Sequence, residues 1–268
     1  MNIFDIFKNN KDKVDNTPKH YLPKRFWTEE ELGKGDYDKF FNDYLFGRCL
    51  TGAEFIELLD NNFTPFIKSL GFKGRKNHFY KVKDNLLFVI GLFKDKYGGG
   101  LTLNVGIHII NYPIRGYFEK TEISKITTNG TIIQKNLILE NGNSWLKFGK
   151  DKDEGLETIE FMKFLVTKEG VSLFQNYEER PNIFNEIEIS DFVNPTNKFQ
   201  KYGIDEKMLK WIHFQIFVAR FNFDYGDKNI ANEILKMVRV NEFNSDRFTL
   251  KGISPLIPEI DKLINEWK

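Results

Sequence analysis

The chain has 268 residues, with 39 basic side chains against 38 acidic ones, a net charge of +1, one cysteine, and 41% hydrophobic residues. Near-neutrality lacks the whole-protein electrostatic footprint of a nucleic-acid binder, and one cysteine excludes both an intramolecular disulfide and a cysteine zinc cluster. No apolar run approaches the roughly eighteen residues of a membrane span, and Met1 to Lys8 lack the basic start and apolar core of an export signal. The expected setting is therefore cytoplasmic, with no membrane partner and no metal needed for stability.

Residues 1–35 are polar, contain Pro18 and Pro23, and read as an arm; Tyr37, Phe40, Phe41, Tyr44 and Leu45 then recur at helical spacing, predicting a first helix over Asp36–Gly47. Cys49, beside Leu50 and Phe46, reads as a buried, inert thiol. Thr51 with Glu54 three positions on forms a capping box. Phe55, Ile56, Leu59, Phe63, Phe66, Ile67 and Leu70 follow at spacings of three and four, giving one apolar stripe. Pro65 is placed to kink this helix, Gly71 to close it in the left-handed conformation, and Phe72 to fold back on it.

His78–Val82 reads as a strand, Asp84-Asn85 as a turn, and Leu86–Phe93 as a strand apolar on both faces and hence central. Leu101–Ile109 alternates strictly, so Leu101, Leu103, Val105, Ile107 and Ile109 share one face and Thr102, Asn104 and His108 the other.

These residues carry a resemblance. Ser69-Leu-Gly-Phe, Asn77-His-Phe-Tyr, the apolar strand, Tyr97-Gly-Gly-Gly and Leu101-Thr-Leu-Asn-Val-Gly-Ile are similar to domain-of-unknown-function family 4304, a set of uncharacterised bacterial proteins, over about residues 55–185. Phe93 stands where that family usually has glutamine. The motifs consist of glycines, aromatics and strand residues, so the resemblance implies a fold and no catalytic residue.

Further along, Thr131–Leu139 and Ser144–Phe148 flank Glu140-Asn141-Gly142-Asn143, a hairpin signal. A helix is predicted from about Gly155 to Glu169, with Gly170 as its stop. Glu178–Phe199, with Pro181 and Pro195, marks a boundary. Asp205 is placed to cap a helix reaching about Phe221, whose Trp211, Phe214, Ile216, Phe217, Val218 and Phe221 make it nearly apolar all round. Phe223-Asp224-Tyr225-Gly226 reads as a tight connection to an antiparallel partner helix from Asp227 to about Val240, and a last helix is predicted over Ile257–Trp267. The expected fold class is α+β, an antiparallel sheet packed against helices with a C-terminal helical extension. Its segments are an arm and first helix (1–50), an α+β core (51–190) and a helical segment (191–268).

Chemistry-bearing motifs are sparse. Gly98-Gly99-Gly100 lacks the Lys-Ser/Thr ending and the following helix of a phosphate loop. His78 and His108 lie on strands flanking a third, and spacing supplies no third metal ligand. His213 reads as a core histidine, Glu157 with Glu160 and Glu178 with Glu179 as solvated pairs, and no Ser, Cys or Thr stands in a nucleophile context. The 27 phenylalanines accompany an excess of Asn, Lys and Ile, a bias that codon usage alone produces, so they say little of base stacking.

Charge is uneven along the chain. Lys68, Lys73, Arg75, Lys76, Lys81 and Lys83 occur without an acid between Asn61 and Lys83, whereas Asp153–Asp191 holds ten acids against three bases. The leading expectation is a non-catalytic protein-interaction module, an immunity or accessory protein, with an unknown protein partner, no cofactor and no assigned catalytic residue. The alternative is a small-molecule binder or enzyme using the polar sheet face, with Thr102, Asn104, His108 and His78 as ligand candidates. The third is nucleic-acid binding through Lys73, Arg75, Lys76, Lys81 and Lys83, which the near-zero net charge disfavours.

Overall fold

The computed structural model describes residues 50–94, 99–110, 112, 122–137, 145–243 and 256–267. The predicted arm, the helix over Asp36–Gly47, Cys49, Gly98 and the Glu140–Asn143 turn lie outside the described residues. These form an α+β protein with a fully antiparallel six-stranded sheet and C-terminal helices. By their contacts they group into two units, one of residues up to Ile110 with Glu122–Ser172, the other of Tyr112 with the residues from Leu173 onward.

The first unit opens with α1 (Gly52–Leu58), a π-helical turn (Leu59–Phe63) and α2 (Thr64–Ser69). The Thr51 amide donates to Glu54 at 2.8 Å and the Glu54 amide to Thr51 Oγ1 at 3.3 Å, completing the predicted capping box. Pro65 has no amide to give Asn61 and its ring crowds the preceding turn. The chain answers by widening that turn, and the Thr64 amide bonds the Leu59 carbonyl. Gly71, at φ +86°, closes α2. Its amide bonds the Lys68 carbonyl while that of Phe72 bonds the Ile67 carbonyl, the paired bonds of a Schellman cap, and Phe72 is buried behind them.

The sheet follows as β1 (Lys73–Arg75), β2 (His78–Lys83), β3 (Leu86–Lys94), β4 (Gly100–Ile109), β5 (Ile133–Asn136) and β6 (Leu146–Lys147). Strands β1 to β5 are neighbours in that order, and β6 also pairs with β4. The predicted hairpin between the last two strands is corrected: β5 bonds Asn104–Ile107 and β6 bonds Gly100–Leu101, so they share one edge of β4 without pairing to each other. That ten-residue edge satisfies both short strands, which a turn signal read locally does not reveal.

One sheet face is apolar. Phe79, Phe88, Ile90, Leu103, Val105 and Ile107 are buried on it, and the Phe63 ring meets Phe79 edge-on at 6.1 Å. Here too packs α3 (Lys152–Leu165), capped by Asp151, whose Oδ1 accepts the amides of Asp153 and Glu154 at 3.0 Å. Gly170 was expected to end this helix, yet the chain passes through a π-helical turn (Val166–Val171) into α4 (Ser172–Glu179). A Cβ at Gly170 would lie 3.3 Å from Val105 Cγ1, so the glycine serves close approach to the sheet.

The second unit continues from α4 through α5 (Ile189–Val193), α6 (Glu206–Leu209), α7 (Ile212–Tyr225), α8 (Lys228–Phe243) and α9 (Leu256–Glu266). The single helix predicted from Asp205 is two, broken at Lys210–Trp211, and Phe223 to Tyr225 belong to α7, leaving Gly226-Asp227 as the connection. Helix α7 is buried nearly all round, as its composition predicts, with Phe184 packed edge-on against Phe217 at 4.9 Å. Tyr177 is fully buried and donates to the Tyr202 carbonyl at 2.8 Å, and burial pushes its phenol well above the usual range.

Candidate functional site

Antiparallel register decides which side chains share the second sheet face. His78, Gly91, Asn104 and Asn136 form one row across β2 to β5, and Tyr80, Val89, Gly106 and Gln134 form the next. Thr102 opposite Phe93 and His108 opposite Leu87 lie on the same face, because side chains alternate along each strand. All four ligand candidates read from the sequence therefore share one surface. His78 and His108 are separated by four residues along β3, about 13 Å at strand rise, so they do not pair. Among the described residues no group of three or more His, Cys, Asp or Glu converges on a point that would hold a metal ion.

This face is covered by the segment that precedes β5. Glu122–Ile132 makes two 3-10 turns, Ile123–Lys125 and Thr128–Gly130, and its threonines settle where the sheet has no side chains. A Cβ at Gly91 would lie 3.0 Å from Thr128 Oγ1, and one at Gly106 only 2.3 Å from Thr131 Oγ1. Thr131 is fixed by its own hydroxyl, which lies 2.6 Å from the Thr128 carbonyl and 2.7 Å from that of Ile133 and donates to one of them at a time. Beneath this strap Asn104 is 5% exposed and His108 1%, while Thr102 and His78 are half-buried.

The row through Gly91 concentrates unmet polarity. Among the described residues, Oδ1 of Asn104, Oγ1 of Thr128 and both ring nitrogens of His78 are buried without a hydrogen-bond partner. Burial holds the His78 ring below the usual histidine range; the Ser124 backbone acts in the opposite direction without reaching hydrogen-bond geometry. His78 is thus neutral near pH 7, with one nitrogen a donor and the other an acceptor. Thr128 and Thr131 were not singled out from the sequence. Their signal was available in Gly91 and Gly106, since a glycine inside a strand marks close approach of another segment.

The basic stretch falls on the β1–β2 hairpin. Lys73, Arg75 and Lys76 are exposed, as are Lys68 and Lys83, while Lys81 is half-buried with its stem against Gly71. Cross-strand pairing sets Lys73 beside Tyr80 and Arg75 beside His78, and the His78 and Tyr80 rings lie 6.0 Å apart and nearly parallel. Among the described residues Lys73, Arg75 and Lys76 have no ion-pair partner, and no strand pairs with the outer edge of β1. Part of the acidic stretch, by contrast, meets nearby cations. Glu160 pairs with Lys163 at 2.5 Å, Glu169 with Lys135 at 2.9 Å, Asp191 with Lys198 at 3.6 Å, and Glu186 with Arg180.

The remaining sequence candidates lie elsewhere. Gly99 and Gly100 lead directly into β4, and the Gly99 carbonyl accepts the Phe148 amide at 2.9 Å, so no helix N-terminus follows. His213 is half-buried in the first turn of α7 against Trp211, 5.4 Å away, rather than in the core. Glu157 and Glu179 are exposed. No helix of the described residues is long and apolar enough to cross a membrane.

Fold and site together define an antiparallel α+β unit whose polar sheet face is closed by its own strap, carrying a basic hairpin at the free edge. Residues 63–174, which span α2, the whole sheet, the strap and α3, match the model of a family described as a domain of unknown function, DUF4304. No curated protein and no solved structure matches the chain.

Proposed function

We propose that this protein is a non-catalytic interaction module, of the immunity or accessory kind, that docks an acidic protein surface through its β1–β2 hairpin. The observation carrying this reading is the set of exposed cations, Lys73, Arg75 and Lys76, which have no ion-pair partner among the described residues and sit at an open sheet edge. Unpaired like charges at one tip repel one another, and an acidic partner relieves that repulsion while raising the encounter rate. Charged side chains on a sheet edge also guard against strand-to-strand aggregation, a role open to Lys73 and Arg75 on β1 but not to Lys76 beyond its end. Against catalysis stands the sheet's polar face, whose candidate residues lie beneath Thr128 and Thr131.

The test is capture from the native host with tagged wild-type chain and with the charge-reversed variant K73E/R75E/K76E, followed by identification and rebinding of the purified partner. The expected result is a protein with an acidic surface that binds the wild type, weakens with added salt, and is lost by the variant. Equal retention by the variant contradicts the reading. Nuclease-sensitive retention would move the assignment to nucleic acid.

A further inference from the structure

Register sets five side chains of the β1–β2 hairpin on the strap side of the sheet. His78, Tyr80 and Val82 alternate onto it along β2, and Lys73 and Arg75 join them from β1, opposite Tyr80 and His78. Lys81 and Lys83 belong to the other face. Strand β1 begins at Lys73, so none of its side chains stands opposite Val82. On the inner flank Tyr80 and Val82 lie opposite Val89 and Leu87 of β3, both fully buried, yet Val82 itself is 46% exposed and Tyr80 half-buried. An apolar strip thus runs from the core to the surface and ends beside exposed cations.

A single exposed valine is ordinary on a protein surface, and valine suits a strand wherever it lies. The neighbours distinguish this one. Tyr80 precedes it on the same face, with its ring nearly parallel to that of His78 at 6.0 Å. Across the strand pair stand Lys73 and Arg75, without ion-pair partners among the described residues. Glu122 of the strap is engaged by Lys125 at 2.9 Å and leaves those charges unmet. An apolar centre with a charged rim, built with tyrosine and arginine, is the composition of a protein-docking surface. We propose, resting on the docking reading above, that Tyr80 and Val82 anchor that surface, and that the partner presents an acidic segment with an apolar side chain between its carboxylates. Charge complementarity with Lys73 and Arg75 selects the acids. The exposed valine selects the apolar residue, because a carboxylate laid over Val82 would lose water and gain no partner.

Two capped pentapeptides, Asp-Glu-Phe-Asp-Glu and Asp-Glu-Ser-Asp-Glu, serve as probes. Each is titrated into isotope-labelled full-length protein while the Val82 methyl and Tyr80 ring resonances are followed by NMR. The Phe peptide is expected to shift both saturably and to bind about fivefold tighter than the Ser peptide, the gain from partly burying an apolar side chain. V82S should bring the two peptides to one affinity, V82T, which keeps the branched shape, should fall between V82S and wild type, and K73E/R75E/K76E should lose both peptides. Because Val82 is exposed, both of its variants are expected to melt like the wild type. Equal affinity of the two peptides for wild type, with binding still lost in K73E/R75E/K76E, overturns the anchor and leaves the docking reading standing. A preference for the Phe peptide that survives in folded V82S also overturns the anchor, as does tighter binding of an oligothymidylate than of the Phe peptide. No saturable binding of either peptide overturns both the anchor and the docking reading.

Discussion

A methyl group at Gly106 would lie 2.3 Å from Thr131 Oγ1 and 2.8 Å from its Cγ2. No rotamer change at Gly106 can relieve that contact, so G106A is expected to lower stability by about 1–3 kcal/mol, the usual cost of overpacking a core. Because the clash is with one side chain, G106A/T131A should lose less than the sum of its single variants, measured by chemical denaturation as a double-variant cycle. Additive losses would mean that the strap does not rest on Gly106. Glu259, on α9, behaves differently. Burial raises its carboxyl above the usual range, although Arg220 and Lys262 pull it back. An acid whose folded value is raised is charged at a cost, so its contribution to stability falls as pH rises from the unfolded value through the folded one. E259Q removes that dependence. Its melting temperature should exceed that of the wild type at pH 7 and converge with it near pH 4, and a variant less stable at pH 7 would contradict the assignment.

Among the elements, α3 offers the cleanest test, because Asp151 alone supplies the side-chain cap for two amides. D151A is expected to cost about 0.5–2 kcal/mol in urea unfolding. An unchanged midpoint would show the cap to be idle. Elements with local signals were legible in the sequence: the Thr51–Glu54 box, the Gly71–Phe72 cap, the alternation of β4, and the apolar girth of α7. Those decided by distant partners were not. Lys73–Arg75 is too short and too charged to read as a strand, and becomes one only because β2 pairs with it. Gly170 reads as a stop but permits an approach to Val105, and β5 and β6 read as a hairpin although the long free edge of β4 takes both. The candidate site divides in the same way. Alternation alone placed Thr102, Asn104 and His108 on one face, and the sheet register added His78. Thr128 escaped notice, since only the folded strap brings residue 128 over residue 91.

Taken as a whole molecule, the chain is close to neutral, with its charge segregated. Glu160, Glu169, Glu186 and Asp191 of the 153–191 stretch meet nearby lysines and an arginine, while the hairpin cations are exposed without ion-pair partners among the described residues. Because Lys73, Arg75 and Lys76 are exposed, K73E/R75E/K76E should change folding stability by no more than about 0.5 kcal/mol per site, which makes it a clean probe of docking. The decisive measurement is the affinity of the purified, identified partner for wild type and for K73E/R75E/K76E at low and high salt. The account predicts binding by the wild type that weakens as salt screens the charges, together with at least a tenfold loss in a variant that melts normally. Equal affinity of the two chains, with no dependence on salt, would contradict it.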